Sequence, residues 1–269
     1  MQVQQNTPSE VIEGTPAKKE IRGEASARTW KAQFYPEVCV GGFTDIDGTI
    51  LFYNRVLSLL EPHSVVVDFG CGRGAFFSDP VRFRREMRML RNHSAMAIGL
   101  DIDSASQSNP GIHQFRLLES SRWPVDDGAA DLVLLDCVVE HLPDPGAVFR
   151  EAARVLRRGG YIAIRTTNRW HYVGFIARVL PSRFHKRTLR AAQPSRQEKD
   201  IFPASYRCND LPEMRRQLRA AGFEPFVYAH EPEPGYLAFS RWAYALGVVY
   251  QRIVPKFFRS TILAFGRRQ

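Results

Sequence analysis

Apolar and polar positions along this chain alternate between two patterns. Short apolar runs end or fill residues 65–69, 95–100, 113–118, 131–136 and 161–166, the length and composition of strands in a buried sheet. Between and after them, residues 146–156 and 211–221 read as helices with one apolar face, and 223–229 and 261–267 as two further strands. Residues 50–60 carry Leu51, Val56, Leu57 and Leu60 at helical spacing. Alternating strands and helices predict an α/β fold: a mostly parallel seven-stranded sheet flanked by helices, with ligands at its carboxyl edge. Arg157-Arg158-Gly159-Gly160 is expected to close the 146–156 helix with a glycine cap.

The first strand runs into Gly70-Cys71-Gly72-Arg73-Gly74, and the second ends at Asp101-Ile102-Asp103. Strand, glycine turn, helix, strand and acid form the order of a nucleoside-binding βαβ unit. Glycines let the backbone turn sharply and come close to a ligand. An acid at the tip of the second strand can accept the hydroxyl hydrogens of a ribose. A dinucleotide site, however, aims a helix N-terminus at a pyrophosphate, and Asp68 puts a negative charge where that pyrophosphate would lie. Asp101 also stands 27 residues past Gly74 (101 − 74), against roughly 20 in a dinucleotide site. A cationic ligand with an amino group suits this loop, which favours S-adenosylmethionine over NAD.

Four segments taken in order, VVVDFGCGRGAFF (65–77), AIGLDID (97–103), DLVLLDCVVEHLPDP (131–145) and VLRRGGYIAIRTTN (155–168), resemble a class I S-adenosylmethionine-dependent methyltransferase. They are most similar to the broad type 11-like subgroup with a Glu-His pair after the fourth strand. The resemblance implies a Rossmann-like methyltransferase fold and S-adenosylmethionine as cofactor. It places Asp68, Gly70, Gly72 and Gly74 at the methionine end, Asp101 at the ribose, and Ile102 and Glu119 at the adenine, where Glu119 stands in the place of the more usual Asp. It places Asp136 and His141 towards the reacting centre as candidate catalytic residues. Some related RNA and quinol O-methyltransferases hold a metal with Glu-x-x-Glu-His; the first position here is Cys137, so no metal is expected.

Asp45-Ile46-Asp47-Gly48-Thr49 resembles the nucleophile motif of haloacid-dehalogenase-type phosphatases. That chemistry needs the first Asp at the end of a buried strand, and Gly41-Gly42 interrupts the approach. A helix cap leading into residues 50–60 is the expected role, with that helix over the mouth of the cofactor site. Ser78-Asp79-Pro80 is expected to start another helix, whose Arg82, Arg84, Arg85, Arg88 and Arg91 form a solvated face or a phosphate contact.

Composition changes the picture chiefly through charge. The formal net charge is +9, which favours anionic partners: nucleic acid, phosphorylated substrates or an acidic membrane surface. Cys39, Cys71, Cys137 and Cys208 show no metal-type spacing, and no apolar run reaches the roughly 20 residues of a membrane span. A cytoplasmic protein is expected, with membrane association left open.

Residues 1–30 are expected to form a disordered polar arm and residues 31–269 one methyltransferase domain. Within it, 168–207 mixes aromatics and cations and is assigned as an acceptor-site insert. Residues 236–259 form an apolar, basic helical segment suited to a membrane interface, a dimer contact or internal packing. The basic, aromatic C-terminal half fits O-methylation of a glycan, lipid or lipid-linked small molecule. The alternatives are RNA, read through phosphates and stacking, and a non-catalytic protein that retains the cofactor.

Overall fold

The computed structural model describes residues 30–171 and 205–269. The polar arm and most of the 168–207 insert lie outside the described residues. Seven strands among those described form one sheet: β1 Val65–Phe69, β2 Met96–Asp101, β3 Gln114–Leu117, β4 Ala130–Asp136, β5 Leu156–Thr167, β6 Phe223–His230 and β7 Thr261–Arg268. Their spatial order is β3-β2-β1-β4-β5-β7-β6. Strands β1 to β5 are parallel, while β7 runs antiparallel to both β5 and β6. The expected mostly parallel sheet is present. Its chain order reverses between β1 and β4, which makes their carboxyl ends a topological switch point where α/β folds bind ligands.

Alternation along the strands sends neighbouring side chains to opposite faces. Val67, Val133, Leu135, Ile162 and Ile164 pack with Phe149 and Ala152 of one helix, α3 (Pro145–Val155), and with Met214 and Leu218 of another, α4 (Leu211–Ala220). Val66, Leu132, Leu134 and Ala163 pack on the other face. Their partners are Phe52, Tyr53 and Val56 of α1 (Gly48–Ser58) and Met87 of α2 (Arg82–Arg88). Each fully buried side chain of this kind contributes about 1.5–3 kcal/mol. The two layers thus hold β1 and β4 rigidly from both sides.

Asp47 accepts the N–H groups of Thr49 and Ile50 at 2.9 and 3.1 Å and so starts α1. The Asp-x-Asp-Gly-Thr segment is therefore a helix cap, as expected, and does not end a strand as a phosphatase nucleophile would. The helix expected from Ser78-Asp79-Pro80 starts later. The Asp79 carboxylate takes the N–H of Val81 and the guanidinium of Arg84, and α2 begins only at Arg82. Its arginines are not one solvated face. Arg84 bridges Asp47 and Asp79, and the Arg88 guanidinium lies over the rings of Tyr53 and Phe76.

The glycine cap expected at 157–160 is also corrected. Helix α3 passes straight into β5 at Leu156, and a register shift opposite Ala130 and Leu132 takes up the intervening residues. Gly159 adopts φ +81° there, a turn inside the strand rather than a helix end. In the C-terminal segment, α5 (Arg241–Ile253) buries Tyr244, Gly247 and Val248, with Trp30, Phe34 and Tyr35 ringed around Tyr244.

Candidate active site

The glycine loop leaves β1 with φ of +71° at Gly70, +56° at Gly72 and +77° at Gly74. The three glycines serve different ends. A Cβ at Gly70 would stand 2.6 Å from Val138, and one at Gly74 would stand 2.6 Å from Pro110, so both are demanded by packing. A Cβ at Gly72 would meet nothing within 4 Å. The middle of the loop faces open space, and its backbone is accessible to a ligand.

Hydrogen bonds fix that geometry. The Gly70 and Cys71 N–H groups donate to the Leu100 carbonyl, and buried Asn109 donates from Nδ2 to the carbonyls of Cys71 and Gly72 at 2.8 and 3.1 Å. Asp101, the last residue of β2, accepts the N–H of Gly72 on Oδ2 and that of Asp103 on Oδ1, both at 2.9 Å. One lone pair on each oxygen is used to join the loop to the second strand, and one remains for a further donor. Beside it, Arg73 pairs with Asp103 at 2.5 Å. Ile102 is 68% exposed. Glu119 is exposed beyond the end of β3, which is tied to β2 by the Leu118 N–H on the Asp101 carbonyl.

A charged cluster lies at the ends of β1, β4 and β5. Arg165 grips Asp136 with Nε on Oδ1 at 2.6 Å and Nη2 on Oδ2 at 2.8 Å. The Tyr53 hydroxyl donates to Oδ2 at 3.0 Å, Arg88 stands 3.6 Å away, and Arg165 also donates to the Thr49 hydroxyl. Burial alone would raise the Asp136 carboxyl. The charges of Arg165 and Arg88, with the hydrogen bonds from Arg165 and Tyr53, outweigh it and hold the carboxyl at about 2. The Asp136 carboxylate thus holds Arg165 and Tyr53 together at the end of β4. Asp68 differs. Burial first, then the Asp136 charge, push its carboxyl up to about 7, against a lowering by Arg88. An acid raised in this way is short of cationic partners.

After β4 the chain turns at Cys137, which has φ +60° and donates its N–H to the Arg165 carbonyl. The next residue, Val138, is the side chain that requires glycine at Gly70. A short 3-10 turn, Val139–His141, follows. Its Glu140 is buried and accepts the Thr166 hydroxyl at 2.6 Å, and burial raises its carboxyl. His141 is half-buried in the same turn. Of the Glu-His pair, the glutamate is thus tied into the fold. His171 is buried and pushed down to about 4 by its surroundings; His185 lies outside the described residues. Among the described residues, no three His, Cys, Asp or Glu side chains group to hold a metal ion.

The sequence reading did not include Tyr53, Arg88, Asn109 or Arg165 in the site. Arg165 carried a signal, a lone cation at the end of the apolar run Ile162-Ala163-Ile164. Arg88 carried none that set it apart from the neighbouring arginines.

Residues 49–227 match the family described as "Methyltransferase domain", which is more than half of the chain. The chain belongs to this methyltransferase-domain family. Its relatives include two enzymes named "Ubiquinone biosynthesis O-methyltransferase". The one from Cupriavidus pinatubonensis is 26% identical over 39% of this chain and 41% of its own length. That from Marinobacter nauticus is 30% identical over 38% of this chain and 44% of its own length. The chain therefore aligns with less than half the length of these relatives. A solved S-adenosylmethionine-dependent methyltransferase from Archaeoglobus fulgidus shares the fold, with a TM-score of 0.51 and 15% identity over 82% of this chain and 95% of that one. Membership of the methyltransferase-domain family accounts for the sheet order and for the glycine loop at its switch point.

Proposed function

We propose that this chain transfers a methyl group from S-adenosylmethionine to an oxygen of a small lipid-like or lipid-linked acceptor. The observation that carries the donor half is the positive-φ glycine loop, open at Gly72, leaving a strand that carries the buried carboxyl of Asp68. The raised carboxylate of Asp68 and the guanidinium of Arg88 suit the amino and carboxylate groups of a methionine end. Arg88 is close enough to Asp68 to lower its carboxyl, and its Nε is buried without a hydrogen-bond partner. Asp101 would take the ribose hydroxyls, with Ile102 and Glu119 beside the adenine. When bound, the donor supplies an electrophilic methyl group on a positive sulfonium.

The chain's own part is alignment and proton removal. His141, in the turn after β4, is the group assigned to take the acceptor's proton, while Asp136, Arg165 and Tyr53 hold one another at the strand ends that precede it. The acceptor half is supported by the relatives named as quinone-pathway O-methyltransferases and by the aromatic surface near Trp170. Calorimetry with S-adenosylmethionine, its demethylated product and NAD tests the donor. Tight NAD binding with no heat from the other two would sink the reading. Incubation with labelled donor and cell extract tests the acceptor, with label expected in the lipid fraction. Label in RNA would replace the acceptor, and donor binding without any product would leave a non-catalytic binding protein.

A further inference from the structure

Helix α5 turns an apolar stripe outward. Trp242, Leu246, Val249 and Ile253 are 82, 71, 54 and 73% exposed. At 3.6 residues per turn they fall within about 60° of arc. The opposite side of the helix, Tyr244, Gly247 and Val248, is buried, so the helix is held from behind with its large apolar residues facing away. Phe239, Phe257 and Phe258 are exposed in the same segment. Isolated exposed apolar residues are ordinary, but a continuous stripe with aromatic neighbours marks an interaction surface.

The charges around the stripe are of one sign. From Pro234 to Gln269 the sequence contains no Asp or Glu, and it contains Arg241, Arg252, Lys256, Arg259, Arg267 and Arg268. Arg241, Arg252 and Lys256 are exposed, the first two roughly a quarter turn from the stripe. A second copy of the chain meeting this face across a two-fold axis would set cation against cation. An anionic bilayer accepts both features, taking the apolar stripe among its acyl chains and the basic flank at its headgroups. No helix among the described residues is long and apolar enough to cross a membrane.

The segment also adjoins the ligand edge of the sheet. Asn168, the residue after β5, donates from Nδ2 to the carbonyls of Phe257 and Arg259, both at 2.8 Å. The Trp170 and Phe257 rings lie 5.9 Å apart. We infer that α5 and the turn after it, Lys256–Phe258, form a docking surface for anionic membranes that sets the carboxyl edge of the sheet against the bilayer. That the bilayer delivers the acceptor rests on the lipid-acceptor reading above; the docking itself does not.

Flotation of the full chain with vesicles tests it. Binding is expected to phosphatidylcholine vesicles containing about 30 mol% phosphatidylglycerol, weakly to phosphatidylcholine alone, and to be lost near ~0.5 M salt. Trp242→Ser with Leu246→Ser should reduce binding more than about tenfold. Each of Arg241→Gln, Arg252→Gln and Lys256→Gln should reduce it about fivefold. Donor binding by calorimetry should be unchanged in all of these variants, which shows that they fold and separates docking from the methyltransferase reading. The inference is overturned if wild type ignores anionic vesicles while binding donor, or if the apolar variant floats as well as wild type. It is also overturned if the stripe proves to hold a dimer that the apolar variant dissociates in ultracentrifugation.

Discussion

Arg165 and Asp136 are register partners on the adjacent parallel strands β5 and β4, and their side chains meet in a two-pronged ion pair at the ends of those strands. The pair is braced by Tyr53 and Thr49 from α1, so the helix before the glycine loop is tied to the sheet edge at the site itself. With the guanidinium of Arg165 over the rings of Phe52 and Tyr53, one cation organises the site's floor. This leaves Asp68 as the acid at the switch point that is short of a full counter-charge.

Removing that cation should be costly. Arg165→Met would strand Asp136 beside Asp68 and is expected to cost roughly 3–5 kcal/mol in chemical denaturation. Arg165→Lys keeps the charge but not the planar fork and should recover only part of the loss. The folded carboxyl of Asp136 lies below its ordinary 3.8, at about 2. Its stabilisation is therefore present above the ordinary value and lost as pH falls through about 2. The Met variant should accordingly unfold at a higher pH than wild type on acidification. A cost below about 1 kcal/mol would show that the pair behaves as a solvated surface bridge.

Asp68 has the opposite sign. Its folded carboxyl is raised from 3.8 to about 7, so its contribution to stability is complete below the ordinary value and lost as pH rises through about 7. Bound opposite an amino cation, the carboxyl should ionise. Donor binding at pH 7 should then release about half a proton from this group, visible as a binding heat that depends on the buffer's ionisation enthalpy. Asp68→Asn should abolish that dependence and weaken binding. The same proton release from the Asn variant would assign it to another group.

The sheet was legible because buried parallel strands are continuous apolar runs: six of the seven expected strands are found within one or two residues, and β5 starts five residues earlier than expected, at Leu156. The glycine loop was legible because positive φ selects glycine. Boundaries set by side-chain bonds were not: Asp79 delays α2, and the residues of 157–160 are absorbed by a strand irregularity. The charged cluster was hidden for a related reason. Arg88 and Tyr53 come from helices whose local pattern is that of any amphipathic helix, and only the crossing of α1 and α2 over the switch point puts them beside Asp68. The exposure of the α5 stripe was equally invisible, since an apolar helical face reads the same whether covered or bare.

The glycines can be separated by substitution. Gly70→Ala combines φ +71° with a 2.6 Å approach to Val138. It should cost more than the roughly 1–2 kcal/mol of left-handed strain alone. Gly72→Ala meets nothing, so it should cost only that strain while its methyl intrudes on the ligand's approach. Thermal melts should rank Gly70→Ala as the less stable, and calorimetry should show a loss of donor affinity of about tenfold or more in Gly72→Ala, roughly 1.4 kcal/mol. Wild-type donor affinity in Gly72→Ala would mean that the open face of the loop is not where the donor binds.

His141 tests whether the chain removes a proton or only aligns its substrates. It sits in the turn that follows Asp136, beside a glutamate bonded to Thr166. If His141 acts as a base, His141→Ala should leave donor affinity near wild type. If the imidazole takes the acceptor's proton, the methyl-transfer rate should fall about 10²–10⁴-fold. The pH profile of the wild-type single-turnover rate should also differ from that of the variant. His141→Gln, which keeps hydrogen-bonding capacity but cannot carry the proton, separates the two roles: a positioning residue would be rescued by glutamine, a base would not. Near-normal turnover in His141→Ala with an unchanged pH profile would sink the base assignment. The neutral, buried His171 would not replace it readily, because an imidazole pushed down to about 4 is too weak a base to compete at neutral pH.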